Sequence, residues 1–529
     1  MMTEISRQLA DRMERLGIDV ELTEKILNNF NAGRYDRFEP VRVKDVPEVD
    51  GQHIIDMQEK TEITLDLNKA EKNMKKLDPH IDIKEAGHVG KSTITFDQTG
   101  LERIGIKLYP LLSYGVLNGG SASSYVDRKK NIGFNKRLFS ICEKEFGSIR
   151  SVSNGRAKGL TPAYINKDGS HGASFMELKM RAVLIESLKF RICTDSDVKA
   201  LYPMFQMTSV YNNDEVLNAY KDFKNSGLLR DLIKETGIDI TDFKTGVQPM
   251  LAAFTHSEAG KRKSVFLNAC GEEGRPLAMP GGHGQNFIVL KDIYRELYAE
   301  GKRFIYLGNV DNLGFTVNPS ALALLALKGS RAGFDFAFRT PVDVKGGVLV
   351  IDQNGKLNCA DIGAAISKEE LIEMEKRGKK ILFNCATGLF NLEYLVENID
   401  SIIENLPMRI SDQDKDAGKY SQAEQITWEI IGIMDDILIF GINKYKRFLA
   451  AKLLIEGLMT SGVGLDRPDF PTDENPEKDL KLVAQNLHNG LINLLGTTYG
   501  MKLLNDRWVP KPVEELKSEI IGKLSVAKR

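Results

Sequence analysis

Apolar residues open the chain at helical spacing. Ile5, Leu9, Met13 and Leu16 fall on one face, Leu22, Ile26 and Phe30 on the next, and charged residues fill the positions between. The pattern predicts a helical N-terminal region over residues 1–95 that serves as a packing or oligomerisation element. From 96 to about 400, short β-rich apolar runs alternate with longer stretches of helical period, as in an α/β domain built on a mostly parallel sheet. "SVFLN" (264–268), "RFIYLGNV" (303–310) and "FAFRT" (336–340) are predicted strands. Asn354-Gly355, between "VLVI" and "KLNCADI", predicts a tight hairpin turn with positive φ at both central residues. Beyond 400 the helical period returns through a C-terminal region, 401–529. It is broken by the Pro- and acid-rich loop "LDRPDFPTDENPEKD" (465–479), then closes on a helix bearing Val513, Leu516 and Ile520.

Composition narrows the chemistry. The 529 residues leave room for two or three domains, and 72 basic against 73 acidic side chains give a net charge of −1. No global charge draws the chain to nucleic acid or an anionic membrane, so a small-molecule ligand is favoured and any polyanion site is local. Cys142, Cys193, Cys270, Cys359 and Cys385 are widely spaced and form no CxxC pair, which supports neither a disulfide framework nor a zinc site. The most apolar stretch, "IIGIMDDILIFGI", is cut by Asp435 and Asp436. It falls short of the roughly 18–20 residues of a membrane helix. With no signal-peptide core at the N-terminus either, the expected compartment is cytoplasmic.

Several short motifs carry candidate chemistry, each with a plain structural alternative. Leu117-Asn118-Gly119-Gly120 follows an apolar strand and could bring backbone N–H groups to an anion, or be only a tight turn. "PGGHGQNF" (280–287) sets a histidine among glycines, as a ligand-approaching loop or a surface loop would. "NVDNLG" ends a predicted strand, which places Asp311 at the carboxyl edge of a sheet where ligands of open α/β sheets bind. One such carboxylate, with water and phosphate oxygens, is a usual way of holding Mg²⁺; the alternative is a cap on the next helix. Lys345 before a glycine pair, Asn384 at the end of an apolar run, and Lys446, Arg447 and Lys452 in "KYKRFLAAKLL" complete the set.

The order of these pieces resembles the UDP-sugar pyrophosphorylase family, which includes UTP–glucose-1-phosphate uridylyltransferases and UDP-N-acetylhexosamine pyrophosphorylases. The resemblance spans roughly residues 112–455, and "NVDNLG" and "PGGHG" are its most specific parts. It implies a Rossmann-like nucleotidyltransferase core, α/β with a mixed, mostly parallel sheet, over 96–400. Residues 401–455 of the C-terminal region would contribute Lys452. The implied reaction joins a sugar 1-phosphate to the α-phosphate of UTP with Mg²⁺ and releases pyrophosphate. By resemblance, Leu117, Asn118, Gly119 and Gly120 would hold the uridine and approach its phosphates. Gln248 would contact uracil, with Gly282 and His283 beside the base and ribose. Lys158 and Lys452 would face the phosphates and Asp311 the metal. Asn309, Lys345, Gly346, Asp361 and Asn384 would lie about the sugar.

Three departures qualify the resemblance. Ser121-Ala122-Ser123 replaces the family's GxGT, and Lys158 follows Gly120 by 38 residues rather than within one short loop. The inserted segment is expected to fold over the triphosphate; otherwise the loop would serve a relative that binds without turnover. The family's "FNTNN" becomes Phe383-Asn384-Cys385-Ala386-Thr387, removing an amide near the sugar. Glucose 1-phosphate leads, with N-acetylhexosamine and galactose phosphates as rivals. The C-terminus reads as helices, not the left-handed β-helix of many glucose-type relatives.

Overall fold

Leu112–Leu117 is buried at all its positions, as befits an interior strand of a sheet covered on both faces. A computed structural model describes residues 5–58, 62–196, 204–340, 343, 345–475 and 479–526. It places this run at the middle of an 11-stranded sheet. In chain order the sheet's strands are β1 (Val43–Asp45), β2 (Ile54–Asp56), β3 (Leu112–Leu117), β4 (Met204–Ser209), β5 (Lys244–Gln248), β6 (Phe304–Asn309), β7 (Ala332–Phe338), β8 (Gly347–Asp352), β9 (Leu357–Asp361), β10 (Leu382–Asn391) and β11 (Ile437–Ile442).

Across the sheet the order is β2-β11-β7-β10-β6-β3-β4-β5, and every strand on this path runs parallel except β10. An antiparallel extension, β1-β8-β9, joins it where β8 pairs with β10. The sheet is therefore mixed and mostly parallel, as the sequence predicts. Successive side chains of a strand point to opposite faces, and those of β6 divide between two cores. Phe304 and Tyr306 pack with the Phe175–Thr194 and Pro319–Lys328 helices. Ile305 and Leu307 pack with the Lys291–Ala299 and Leu392–Asn405 helices.

The flanking regions are rich in helix, and each also lends strands. Residues 1–95 supply β1, β2 and most of a small sheet of Ile63–Asp66, His88–Val89 and Thr93–Phe96. The C-terminal region supplies β11 and two hairpins, Met408–Lys415 with Gly418–Gln425 and Met501–Leu504 with Arg507–Pro510. β2 is three residues long and runs on its edge beside β11, too short for a period of two to show in the sequence. The leader also has a task near the site. Gly17 O accepts from Met250 N at 2.9 Å and Asp19 N donates to Met250 O at 2.9 Å, pinning the segment just after Gln248.

Two local expectations are corrected. "SVFLN" is not a strand: it makes only isolated bridges, Phe254↔Val265 and Asn268↔Arg275, because Val265 and Leu267 face a core shared with the leader rather than a neighbouring strand. At Asn354-Gly355 the hairpin is present, but only Gly355 has positive φ (77°). Asp352 Oδ1 accepts from Asn354 N (2.8 Å) and Lys356 N (3.1 Å), so a side-chain carboxylate stands in for the second positive-φ residue. Among the described residues no helix is long and apolar enough to cross a membrane.

Candidate active site

The carboxyl ends of β3 and β6 lie side by side, Leu117 against Asn309, and the motifs that follow them share one cleft. Asp311 is not a helix cap: Asn318 caps the Pro319–Lys328 helix. Its carboxylate instead accepts from Lys158 Nζ at 2.5 Å, and the same ammonium donates to Ala451 O at 2.8 Å and lies 4.7 Å from the centre of the Tyr125 ring. Two positively predicted residues, remote in sequence, thus meet.

The insertion between Gly120 and Lys158 does not push the lysine away. Its helices, Arg128–Phe134 and Lys136–Ser153, loop out and return, and the chain ends pair as Ser121↔Ala157. Lys158 N then donates to Gly120 O at 3.0 Å. Tyr125, Leu138, Phe139 and Phe146 of the insertion form a separate core with Leu454, Ile455 and Leu458 of the C-terminal region. This small core carries both Lys158 and Lys452 on its border with the main domain. The insertion lends Phe134 to the wall of the cleft.

A cavity of about 450 Å³ opens beside Asp311. Of the predicted residues, His283, Asn309, Lys345, Gly346, Asp361, Asn384 and Lys452 line it together with Asp311. Gln248, Gly119 and Gly282 form a second cluster, with Gly120 next to Gly119 in the chain. Leu117 and Asn118 lie beneath it: both are buried, and Asn118 Nδ2 donates to Gln206 Oε1 and Tyr220 OH at 3.3 Å. Their side chains support the loop from below.

The glycines of "PGGHG" have a packing role. A Cβ on Gly282 (φ 79°) would sit 2.3 Å from Gln425 O, so its missing side chain admits the end of a strand. The contact seats His283 on Thr427, whose N–H donates to Nδ1 at 3.1 Å and fixes the ring proton on Nε2. Burial, and then the Lys452 ammonium, depress the imidazole to about 4 against the opposing pull of Asp311. His283 is therefore a neutral donor at pH 7. The unfolded chain takes up a proton below about 6.5 that the folded chain refuses, so stability is lost as pH falls from about 6.5 toward 4. His283→Asn is expected to flatten the pH dependence of the unfolding free energy, measured by urea titration between pH 6.5 and 5, by at most about 2 kcal/mol. An unchanged slope would show that His283 is not held neutral.

Sequence reasoning missed several lining groups. Asp343 and Lys444 form a buried ion pair at the cavity edge, and Lys444 Nζ also donates to Thr340 Oγ1 at 3.1 Å. Trp428 and Glu429 line the cavity from a short 3₁₀ turn, with Glu429 Oε1 held by Arg409 at 2.9 Å. Lys179, fully buried in the Phe175–Thr194 helix, donates to Asn312 O and to Phe315 O (2.7 Å) and so fixes the loop that carries Asp311. One signal was available for it: a lysine inside the largely apolar "FMELKMRAVL", which also holds Glu177 and Arg181. At the sugar side, the β7–β10 register shifts between Phe334 and Phe336, and Ala386 takes a positive φ of 50°. Ala386 N donates to Asn384 Oδ1 at 2.9 Å, so the bulge occupies one end of the asparagine amide.

The chain is similar to known proteins in sequence and in fold. The UDPGP family model, UTP–glucose-1-phosphate uridylyltransferase, matches residues 261–460. The UTP–glucose-1-phosphate uridylyltransferase of Solanum tuberosum is 24% identical over 321 residues, 59% of this chain and 61% of the relative. That of Saccharomyces cerevisiae is 30% identical over 138 residues, 26% of this chain and 27% of its own. The chain spans at most about three fifths of the length of the curated relatives it matches. Among solved structures, the UDP-N-acetylglucosamine pyrophosphorylase of Trypanosoma brucei, in complex with inhibitor, superposes with a TM-score of 0.56 at 14% identity, covering 93% of this chain and 92% of its own. The UDP-glucose pyrophosphorylase of Leishmania major gives 0.51 at 13%, covering 96% and 83%. These likenesses establish the fold.

Proposed function

From the premise that this chain belongs to the UDP-sugar pyrophosphorylase family, we propose that it is a uridylyltransferase that joins UTP to a sugar 1-phosphate, glucose 1-phosphate foremost, and releases pyrophosphate. The observation that carries the reading is the junction of Lys158, Asp311 and the Gly120 backbone beside a cavity that Lys452 also lines. An insertion that had ended catalysis would have no need to return the lysine to that place.

The chemistry follows from charge. An oxygen of the sugar phosphate attacks the α-phosphorus of UTP, the bond from that phosphorus to the bridging oxygen of pyrophosphate breaks, and pyrophosphate leaves with the electron pair. The attacking phosphate is already ionised, so no general base is required. What the protein must supply is position and positive charge. Lys158 and Lys452 stabilise the charge that gathers on the transferring and leaving phosphates. Asp311 suits Mg²⁺: its side chain is partly open to the cleft, and among the described residues no cluster of three or more His, Cys, Asp or Glu could hold a metal without further ligands. A lone carboxylate completed by phosphate oxygens is how such a site works, and Mg²⁺ bound there would add charge neutralisation.

Pyrophosphate release, measured with Mg²⁺ across the four common nucleoside triphosphates and a panel of sugar 1-phosphates, tests the reading. Release with UTP and a hexose 1-phosphate is expected. An N-acetylhexosamine phosphate as the preferred substrate would replace glucose within the same reaction. Absence of release from every pair would overturn the proposal.

A further inference from the structure

One buried amide has its orientation set by a backbone carbonyl, and a second amide takes its other hydrogen. Gln248, at the end of β5, donates through Nε2 to Gly282 O at 2.8 Å and to Gln285 Oε1 at 2.7 Å. A backbone carbonyl only accepts, so the atom facing Gly282 O is nitrogen, and both of its hydrogens are consumed. Gln248 must then turn Oε1 the other way, toward the Gly119 turn. A Cβ on Gly119 would lie 3.2 Å from that oxygen, so glycine at 119 leaves the carbonyl uncovered. Flipping the amide would set Gln248 Oε1 against the Gly282 carbonyl, which cannot turn to donate, in a place where Gln248 and Gln285 are both buried; Gln285 Oε1 takes the second hydrogen and holds the amide in its plane.

We infer that Gln285 is a positioning residue that locks Gln248 as a hydrogen-bond acceptor for the ring N–H of a pyrimidine imide, and that this lock selects uracil over cytosine. The inference rests on the uridylyltransferase reading and adds a determinant to it. Uracil carries a proton on N3; cytosine carries a lone pair there, which would face the locked carbonyl. The sequence hides the pairing, because Gln285 sits in the Gly-rich "PGGHGQ" run, 37 residues from its partner.

The test compares Gln285→Met, which keeps bulk and withdraws the acceptor, with Gln285→Glu, which keeps an accepting oxygen. Steady-state pyrophosphate release with UTP and CTP gives the ratio of kcat/KM values, and calorimetry with UMP and CMP gives base selectivity without turnover. Gln285→Met is expected to lower the UTP-to-CTP ratio and the UMP-to-CMP affinity ratio by at least tenfold, with Gln285→Glu restoring the preference. A loss of overall activity at unchanged ratios would mean a merely structural role and overturn the inference. Should Gln285→Met fail to fold, Gln285→Asn, which shortens the reach to Gln248, is read in the same assays with the same expectation. Without turnover in the wild type, the function proposal fails, and UMP-over-CMP selectivity lost in Gln285→Met still upholds the lock. Equal affinity of the wild type for UMP and CMP overturns it.

Discussion

Lys158→Met is expected to lower kcat for pyrophosphate release by about 10²–10³-fold, the cost of removing one preorganised charge from a transferring group. Methionine keeps most of the bulk of the side chain and removes the ammonium, together with its contact over the Tyr125 ring. That ammonium is placed before substrate arrives, by Asp311 at 2.5 Å and Ala451 O at 2.8 Å. It need not reorganise when charge develops. Because the phosphates carry more negative charge on the leaving group in the transition state than in the bound substrate, kcat should fall more than UTP affinity. Arginine is not a conservative replacement here, since its planar fork would have to displace either Asp311 or the Ala451 carbonyl. A Lys158→Met variant that turns over within threefold of the wild type would remove the lysine from the mechanism and, with it, the main support for catalysis in this cleft.

The site was legible where chemistry is written in short contiguous motifs. "NVDNLG" placed Asp311 at a strand end, and "LNGG" placed the glycine turn beside it, because strand, turn and functional group adjoin in the chain. The roles within those motifs were less legible. The Asn118 side chain is a buried strut and Gly282 makes room for Gln425, and neither packing role shows in the motif itself. Both depend on what another segment brings to the same point. The same holds for the missed groups: Lys444 gains its meaning from Asp343, 101 residues away, and Lys179 from carbonyls 133 and 136 residues away.

Fold class was legible for a different reason. Continuous apolar runs such as Leu112–Leu117 and Phe304–Asn309 announce strands buried on both faces. The short flanking strands do not, since three or four residues carry no resolvable period, and β1 and β2 exist only because β8 and β11 offer them an edge. The 121–157 insertion was recognised as an addition. Its position was not, because its apolar side chains are matched by partners near residue 455 that local pattern cannot identify.

Asp335→Asn is expected to destabilise the fold by about 3–5 kcal/mol, the usual cost of stranding one member of a buried ion pair. Asp335, on β7, accepts from Arg447 Nη2 at 3.0 Å, and its side chain is 3% exposed. Arg447 also donates to Thr316 O at 2.9 Å, and its own carbonyl accepts from Asn312 Nδ2 at 3.2 Å. The pair therefore ties "RFLA" to the loop that carries Asp311. The converse variant, Arg447→Met, should behave differently. Burial already raises the Asp335 carboxyl above the ordinary range against the pull of Arg447, and without the guanidinium it rises further. The folded chain then holds a proton that the unfolded chain has released, so the stability of Arg447→Met falls as pH rises above about 4 until the carboxyl ionises. Asp335→Asn has no such escape, since a guanidinium does not give up its proton, and its own stability should gain no pH dependence from this site between pH 5 and pH 8. Urea unfolding of both variants at these two pH values separates the cases. Equal pH dependence would mean that water, rather than the pairing, compensates the charges. A deficit under 1 kcal/mol in Asp335→Asn would show that the loop bearing Asp311 is held in place without the pair.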